Sequence, residues 1–382
     1  MPTPILRFAI ACLLIASLGG CAHRLTGPLH LAEDPPWIAE EWTPQSAGDA
    51  TTTEFEIRHR IILIGDTGYY LEDDPTLAAM DQWATTVESS SVLFLGDNIY
   101  NEGLTDEDRE HGENILAHQL VATDVPKIFI PGNHDWGLLP KNQNATAIRN
   151  QQAFVDEWPG GHAEFIPKEG CMGPVTRVLL DGTENQQAIV FIALDPTPWI
   201  NPRLRKDCPT SQTEDEFLEQ LDAALHQHAQ DFVILGSHYP MLTGGPHGGL
   251  TYGFLTDLII TPIGWMIGGL GNTYEPEYAD WIERTQAVLR RNPPEIYAAG
   301  HDHSLQLLKS GDVAGMYIVS GAGAAERVST VTHLPESYFA HAAPGFVVVD
   351  VGRTGDEETV VIRVIEANSP DAVFEMALPG RD

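Results

Sequence analysis

The chain has 382 residues, 43% of them hydrophobic, and its 54 acidic and 21 basic residues give a formal net charge of -33. This length and apolar content suffice for a folded core, which excludes a fully disordered protein. The acidic excess argues against a nucleic-acid-binding protein, because such a surface requires clustered Lys and Arg. A phosphorylated substrate remains compatible with this charge, but bound metal rather than a basic patch would have to attract its phosphate.

The first twenty residues have the features of a targeting segment. Arg7 precedes an apolar stretch over residues 8–18, which is followed by Gly19-Gly20-Cys21. This ending resembles the lipobox of bacterial lipoproteins, which implies cleavage before Cys21 and lipidation of Cys21. Because Ala22 resembles the outer-membrane sorting signal and several acyl chains anchor durably, we predict an outer-membrane lipoprotein facing the periplasm. An ordinary secretory signal with an unrelated cysteine, or an uncleaved anchor, remains the alternative.

Residues 21–57 and the remainder of the chain differ in composition. The first stretch is rich in Pro, Thr, Ala and acidic residues and has no sustained apolar period, which is typical of a tether. A single folded domain is predicted over residues 58–382. Within it, helices are predicted over residues 76–87, 106–120, 148–157 and 214–230. The last has the clearest signal, because Thr213 and Glu216 can form a capping box before apolar residues at helical spacing.

Short apolar runs that end in Gly or Pro-Gly alternate with these helices, and a polar side chain follows each run. The runs precede Asp66, Asp97, Asn133-His134-Asp135, His238 and His301-Asp302-His303. Buried strands of parallel sheets read as near-continuous apolar runs, and ligands collect beyond their carboxyl ends. The order predicts a layered α/β architecture with a metal site at one edge. Later runs from Met316, Phe346 and Val360 are predicted to complete a second sheet, because no helix-length period separates the last two.

Two features of the sequence leave alternatives open. Residues 255–270 are apolar but are interrupted by Pro262 and three glycines, and they are too short for a membrane span. They form either a buried loop that walls an active-site cleft or a flap that dips into the membrane or binds substrate. Cys171 and Cys208 can pair in an oxidising compartment, but two cysteines alone do not decide this.

The ordered set of motifs points to a known family. It consists of Asp66-x-Gly68, Gly96-Asp97-x-x-Tyr100, Gly132-Asn133-His134-Asp135, the strand from Val233 to His238, and Gly300-His301-x-His303. Together these motifs, over about residues 58–350, resemble the calcineurin-like metallophosphoesterases and, within them, the small purple acid phosphatases of the tartrate-resistant type. The resemblance implies a layered β-sandwich of two mixed sheets flanked by helices, with a dinuclear metal site at the carboxyl ends of the strands.

The resemblance also implies two unequal metal sites. Position 68 carries Gly where most of the superfamily has a metal-binding His, and Tyr100 stands where purple acid phosphatases supply a phenolate. Site one would then take Asp66, Asp97, Tyr100 and His303, and site two would take Asp97, Asn133, His238 and His301. Two carboxylates and a phenolate are hard anionic ligands that suit Fe(III) in site one, while the more neutral site two suits Fe(II), Zn(II) or Mn(II).

By the same resemblance the protein is an acid phosphatase, a phosphomonoester hydrolase that uses metal-activated hydroxide. His134 resembles the residue that meets the leaving group, and Asp135 resembles the acid that orients His134 or a ligand. His247, nine residues after His238, is a second catalytic candidate, whereas Asp195 is interpreted as structural. The expected substrate is a small phosphate ester or a phosphoprotein. A phosphodiesterase or nucleotidase is the alternative within this class, and a non-catalytic metal-binding lipoprotein is the alternative outside it.

Overall fold

The computed structural model describes residues 30–31, 34–40, 55–248, 271–309 and 311–378. The predicted leader 1–20, Cys21 and most of the tether 21–57 lie outside these residues, as does the apolar segment 255–270. In the described part of the chain, no helix combines the length and the apolar character needed to cross a membrane.

The described residues contain fifteen strands in two mixed sheets. They are β1 (Trp37–Ile38), β2 (Phe55–Ile64), β3 (Ser90–Phe94), β4 (Lys127–Phe129), β5 (Ala163–Phe165), β6 (Val175–Leu180), β7 (Ile189–Ala193), β8 (Phe232–Gly236), β9 (Ile296–Ala299), β10 (Leu305–Leu308), β11 (Met316–Ser320), β12 (Ser337–His341), β13 (Gly345–Thr354), β14 (Glu357–Glu366) and β15 (Ala372–Ala377). One sheet has the order β15-β14-β13-β2-β3-β4-β5, and the other has the order β1-β12-β10-β11-β9-β8-β7-β6.

Helices of four or more residues join and cover these sheets. They are α1 (Pro75–Thr85), α2 (Arg109–Val121), α3 (Asn133–Trp136), α4 (Ala145–Asp156), α5 (Thr197–Ile200), α6 (Glu214–Gln227) and α7 (Pro276–Leu289). Short 3-10 turns occur at Pro202–Asp207, Pro246–Gly248 and Ala325–Arg327.

The two sheets pack face to face, and helices cover their outer faces. Side chains such as Leu63 of β2 and Ile234 of β8 meet in one buried cluster between the sheets. Phe94 of β3 belongs to a second cluster with α1, α2 and α4, and Leu235 of β8 belongs to a third with α6 and α7. Because alternate side chains of each central strand face two apolar layers, these strands read as continuous apolar runs. The predicted fold class is therefore confirmed.

The predicted helices are present with shifts of a few residues at their ends, whereas the long helix α7 and the four-residue helices α3 and α5 were not predicted. The capping box before α6 is formed as expected: the Glu216 amide donates to Thr213 Oγ1 at 3.2 Å, and the Thr213 amide donates to Glu216 Oε2 at 2.8 Å. Helix α7 was not predicted, although buried Tyr278, Trp281 and Thr285 recur along it at helical spacing.

The three late strands do not complete one second sheet, which corrects the prediction. β11 pairs in parallel with β9, whereas β13 pairs antiparallel with β2 and carries β14 with it. Antiparallel strands can be joined without a helical crossover. The lack of a helix between β13 and β14 therefore indicates that they are neighbours but does not show which sheet they join. The pairing question for the cysteines is also answered, because a disulfide joins Cys171 to Cys208.

The buried imidazole of His59 makes the stability of this fold sensitive to acid. His59 Nδ1 lies 2.8 Å from Ser89 Oγ, and its Nε2 lies 3.0 Å from Ser91 Oγ. Burial, together with the charge of Arg58, lowers the pKa of His59 from 6.5 to about 4. The unfolded chain therefore binds more protons between these values, and the folded state loses stability as the pH falls through this window.

When the pH falls from 7 to 5, we expect the free energy of unfolding to decrease by about 2 kcal/mol less in His59→Gln than in the wild type. Glutamine can bond to the serine hydroxyls but does not titrate. Urea unfolding at both pH values measures the difference. The exposed His226 supplies the control, because His226→Gln should keep the wild-type pH dependence. Equal losses for His59→Gln and the wild type would contradict this account.

Candidate metal centre

Three buried side chains from both sheets meet where the strands end. Asp66 follows β2, Asp97 follows β3 and His238 follows β8. Each offers one ligand atom, and these atoms all lie within 4.8 Å of one another, an arrangement that can hold a metal ion. The carboxyl ends of parallel strands thus deliver the cluster to a shared edge of the sandwich.

Tyr100 and His303 join Asp66 on one side of this cluster. The Tyr100 hydroxyl lies 2.8 Å from Asp66 Oδ1 and 3.2 Å from His303 Nε2, which is itself 3.2 Å from Asp66 Oδ1. The other ring nitrogen of His303, Nδ1, donates to the Arg327 carbonyl at 2.7 Å. Such a second bond fixes the tautomer, so Nε2 is the nitrogen with a lone pair for a metal. These residues are those expected for site one.

Asn133 and His301 join His238 on the other side. His238 Nε2 lies 3.1 Å from Asn133 Oδ1, 3.1 Å from His301 Nδ1 and 3.5 Å from Asp97 Oδ1. The opposite ring nitrogens are bound to carbonyls at 2.8 Å, His238 Nδ1 to Leu95 and His301 Nε2 to Gly271. The nitrogens that face the cluster are therefore again the ones left to bind a cation. This set is the one expected for site two.

The backbone is strained at three of these positions. Asp66, Asp97 and His301 have φ angles of 61°, 52° and 70°, in the left-handed region that residues other than Gly seldom occupy. Such conformations cost on the order of 1–3 kcal/mol each and persist where the surrounding structure enforces them. The strain coincides with the ends of the ligand-bearing strands, which is typical of a functional site.

The lack of a His at position 68 has a steric cause. A Cβ atom on Gly68 would lie 2.7 Å from the Tyr100 amide nitrogen and 2.8 Å from the Asp97 carbonyl oxygen. The same turn donates the Tyr100 amide to the Gly68 carbonyl at 2.9 Å. Any larger residue would displace the turn that brings the Tyr100 hydroxyl to Asp66. Gly68 and Tyr100 are therefore two parts of one arrangement.

Asp135 ties together the two loops that follow β3 and β4. Its carboxylate accepts hydrogen bonds from the Asn98 and Ile99 amides at 2.9 and 3.1 Å and from the Gly132 amide at 2.7 Å. Burial, followed by the charge of Asp97, raises the pKa of Asp135 to about 8. Its bonds go to the backbone beside Asp97 and Asn133, so Asp135 positions ligand-bearing loops rather than the His134 ring.

His134 and His247 flank the cluster from different loops. His134 Nδ1 donates to the Asn101 carbonyl at 2.8 Å, and its ring is nearly perpendicular to the Tyr100 ring, with 4.8 Å between the centroids. His247 lies against the ligand His301, with 3.9 Å between the ring centroids. Burial lowers the pKa of His247, and its Nδ1 has no hydrogen-bond partner among the described residues. Both predicted catalytic histidines thus border the cluster.

Asp195 has the contacts of a structural residue. It accepts from Trp136 Nε1 at 2.9 Å and from the Thr197 amide at 2.9 Å, and burial raises its pKa to about 6. Both partners are parts of the protein framework rather than of the cluster. This placement agrees with the interpretation of Asp195 as structural.

The charges of the cluster suit a bound cation. Burial, followed by the negative charges of Asp66 and Asp97, raises the pKa of Tyr100 well above its usual value. Burial acts to lower the pKa of His238, but the charge of Asp97 raises it to about 10. A metal ion reverses this electrostatic preference, because it favours phenolate and neutral imidazole. The donor set of carboxylates, phenol, amide and imidazoles therefore fits the expected metal pair.

A pocket of about 350 Å³ opens beside the cluster. Asp97, Asn133, His301 and His303 contribute to its floor, and His134 and His247 also line it. Arg327 lines the same pocket but was not identified from the sequence. It follows the β11 run, which ends in Gly like the earlier runs, but Ala322 and Gly323 come next instead of a ligand. The Gly that ends the β11 run was therefore the sequence feature that could have marked this strand end as part of the site.

The sequence is similar to one known protein family and to a plant phosphatase. A profile described as calcineurin-like phosphoesterase matches residues 59–305. Purple acid phosphatase 3 of Arabidopsis thaliana is 21% identical over 277 residues, which cover 69% of this chain and 62% of that protein. The chain therefore spans about three fifths of the length of this curated relative. The homology to purple acid phosphatases is weak.

Two solved structures share the fold. GAP50, described as the anchor in the inner membrane complex of Plasmodium, has a TM-score of 0.59 at 15% identity, with 86% of this chain and 90% of that one covered. Purple acid phosphatase PPD1 from yellow lupin (Lupinus luteus) seeds has a TM-score of 0.53 at 13% identity, with 86% and 54% covered. These identities establish the fold alone. Because the family profile covers more than half of the chain, the protein belongs to the calcineurin-like phosphoesterase family.

Proposed function

We propose that the protein is a metal-dependent acid phosphatase that hydrolyses phosphomonoesters. The observation that carries the proposal is the contact of the Tyr100 hydroxyl with both Asp66 and His303, at 2.8 and 3.2 Å. A phenol buried between a carboxylate and an imidazole supports the proposed role of Tyr100 as a phenolate ligand of Fe(III). The weak homology to a purple acid phosphatase supports the same choice within the family.

The proposed metals are Fe(III) at Asp66, Asp97, Tyr100 and His303, and Fe(II), Zn(II) or Mn(II) at Asp97, Asn133, His238 and His301. When bound, such a pair supplies Lewis acidity toward phosphate oxygens and lowers the pKa of the attacking water. Hydrogen bonds to backbone carbonyl groups orient the three imidazole ligands, His238, His301 and His303. Asp135 keeps the loops that carry Asp97 and Asn133 together.

His134 is proposed to donate a proton to the leaving oxygen of the ester. Its Nδ1 is held by the Asn101 carbonyl, which leaves Nε2 as the nitrogen available on the pocket side. His247 is the second proposed catalytic residue, because it lies against His301 and lines the same pocket. The substrate class is a small phosphate ester or a phosphoprotein.

The cellular setting is part of the proposal. We propose cleavage after residue 20, a lipid anchor at Cys21, a tether to residue 57 and one domain over residues 58–382. The domain would then face the periplasm from the outer membrane. The disulfide between Cys171 and Cys208 supports an oxidising compartment.

Replacing His134 by Ala should lower kcat by roughly 10²- to 10⁴-fold, because the leaving alkoxide loses its proton donor. The loss should be larger for an alkyl monoester than for 4-nitrophenyl phosphate, whose leaving group needs less protonation. Steady-state kinetics on both esters and on a matching diester, with metal content measured, tests this expectation. The exposed His111 provides the control, and His111→Ala should retain wild-type rates.

The outcomes of this experiment separate the candidate functions. Preferential diester turnover would favour the phosphodiesterase alternative. If the metal-loaded wild type hydrolysed no phosphate ester between about pH 4 and 8, where a general acid and hydroxide can both be available, the proposed catalytic function would be wrong. A non-catalytic metal-binding protein would then be the remaining candidate.

Replacing Tyr100 by Phe should remove the visible charge-transfer band of a phenolate bound to Fe(III) and reduce the iron content. Phenylalanine keeps the buried ring but lacks the oxygen that faces Asp66. Metal analysis and the visible spectrum measure both effects. A colourless, iron-free but active wild type would refute the iron assignment and leave the phosphoesterase proposal standing.

Replacing Cys21 by Ser should abolish acylation, because the predicted lipid-bearing sulfur is lost. Metabolic labelling with a radioactive fatty acid measures this modification. Cys12→Ser is the matched control, since Cys12 lies inside the apolar leader and should leave labelling unchanged. Labelling of the Cys21→Ser protein at the wild-type level would contradict the lipoprotein proposal.

A further inference from the structure

Arg327 is held by its backbone against a proposed metal ligand. Its carbonyl accepts the His303 Nδ1 hydrogen bond at 2.7 Å, and the Ser329 amide donates to the His303 carbonyl at 2.8 Å. The Arg327 amide donates to the Ala324 carbonyl at 3.1 Å and closes the turn. The segment after β11 therefore contacts both the side chain and the backbone carbonyl of His303. The same contacts position Arg327 and the proposed ligand.

The Arg327 side chain lies over the aromatic rings beside the cluster. Its guanidinium carbon is 4.4 Å from the centroid of the Tyr100 ring and 5.6 Å from that of Tyr69. Stacking of this kind limits the conformations of a long side chain and holds its cation over the aromatic ring. The His134 ring also contacts the Tyr100 ring, with 4.8 Å between the ring centroids. Arg327 and His134 thus border the pocket around one shared aromatic residue.

The guanidinium lacks the partners that other arginines of this chain have. Arg60, Arg177 and Arg284 each form an ion pair with a carboxylate. Arg327 has no such pair within residues 30–31, 34–40, 55–248, 271–309 and 311–378, and its buried Nη1 has no hydrogen-bond partner there. A buried donor without a partner is costly, and an acidic chain offers many carboxylates that could satisfy it. An anion that enters the pocket would supply the missing acceptor.

Other residues that line the pocket differ from Arg327 in charge and polarity. Leu138, Leu139 and Ile200 contribute apolar surface, Gln143 and Asn201 contribute neutral amides, and Glu275 contributes a carboxylate. The guanidinium instead borders the cluster, where a phosphate held by the metals would be. A monoester dianion carries more charge on its terminal oxygens than a diester, and hydrogen bonds between two charged groups are the strongest.

We propose that the Arg327 guanidinium binds the terminal oxygens of the substrate phosphate and selects phosphomonoesters over phosphodiesters. This inference rests on the proposed phosphoesterase function and extends it to substrate choice. A diester has an ester substituent on one of these oxygens and, above about pH 6, where the monoester is a dianion, one negative charge fewer. It therefore gains less from the guanidinium, and monoester hydrolysis depends on Arg327 more strongly than diester hydrolysis does.

The test uses the metal-loaded full chain and Arg327→Gln, with inorganic phosphate as the binding probe. Calorimetry should show phosphate binding weakened about 10- to 100-fold, the range expected for loss of a charged hydrogen bond. The monoester kcat/KM should fall by a similar factor, and the diester kcat/KM should change by less than about threefold. Arg327→Lys should lie between the two, because it keeps the charge and loses the planar fork.

The control variant is Arg290→Gln, which removes a surface arginine paired with Asp312 and should change none of these values. Unchanged metal content and visible spectrum in Arg327→Gln would show that His303 and Tyr100 remain in place. Phosphate binding equal to the wild type, or equal losses for monoester and diester, would overturn the inference while the wild-type activity stands. Absence of wild-type activity would instead refute the proposed function, and phosphate calorimetry would still decide whether Arg327 binds the anion.

Discussion

The burial of two carboxylates at one edge of the sandwich is the constraint on which the site depends. Asp66 and Asp97 are each 1% exposed, and their ligand atoms lie within 4.8 Å of each other and of a His238 nitrogen. Like charges buried this closely are unfavourable unless positive charge compensates them. The left-handed backbone at both residues adds a further cost. A bound cation would offset the first of these costs, because both carboxylates can coordinate it.

The same constraint explains the small residues around the cluster. A Cβ on Gly132 would lie 2.3 Å from Asp97 Oδ1, and one on Gly300 would lie 2.5 Å from Asp66 Oδ2. Gly68 leaves room for the turn that carries Tyr100. Gly132 and Gly300, which end two of the apolar runs, are therefore required by the close approach of backbone to ligand oxygen. The pattern that marks the strand ends in the sequence is thus a consequence of packing around the site.

Sequence reasoning reached those parts of the structure that local patterns determine. The strands before Asp66 and His238 are buried on both faces, so their apolar runs are unambiguous, and the family resemblance assigned the residues after them. The sheet joined by β13 depends on its antiparallel pairing with β2, which lies almost three hundred residues earlier in sequence. Arg327 reaches the pocket through its backbone contact with His303, and the Gly that ends the β11 run marks only a strand end, not this contact. What the sequence did not reveal is therefore long-range contact.

The pocket arginine changes the interpretation of the acidic composition. A net charge of -33 repels an anionic substrate at long range, and metal alone was expected to compensate for this. Salt screens charges beyond about 10 Å, so groups that touch the phosphate decide whether it binds. Arg327 is a cation held in the pocket by stacking on Tyr100. The charge of bound metals, in contrast, would be partly neutralised by the carboxylates that hold them. In the proposed function, the Arg327 guanidinium would favour the more highly charged ester without making the surface attractive to nucleic acid.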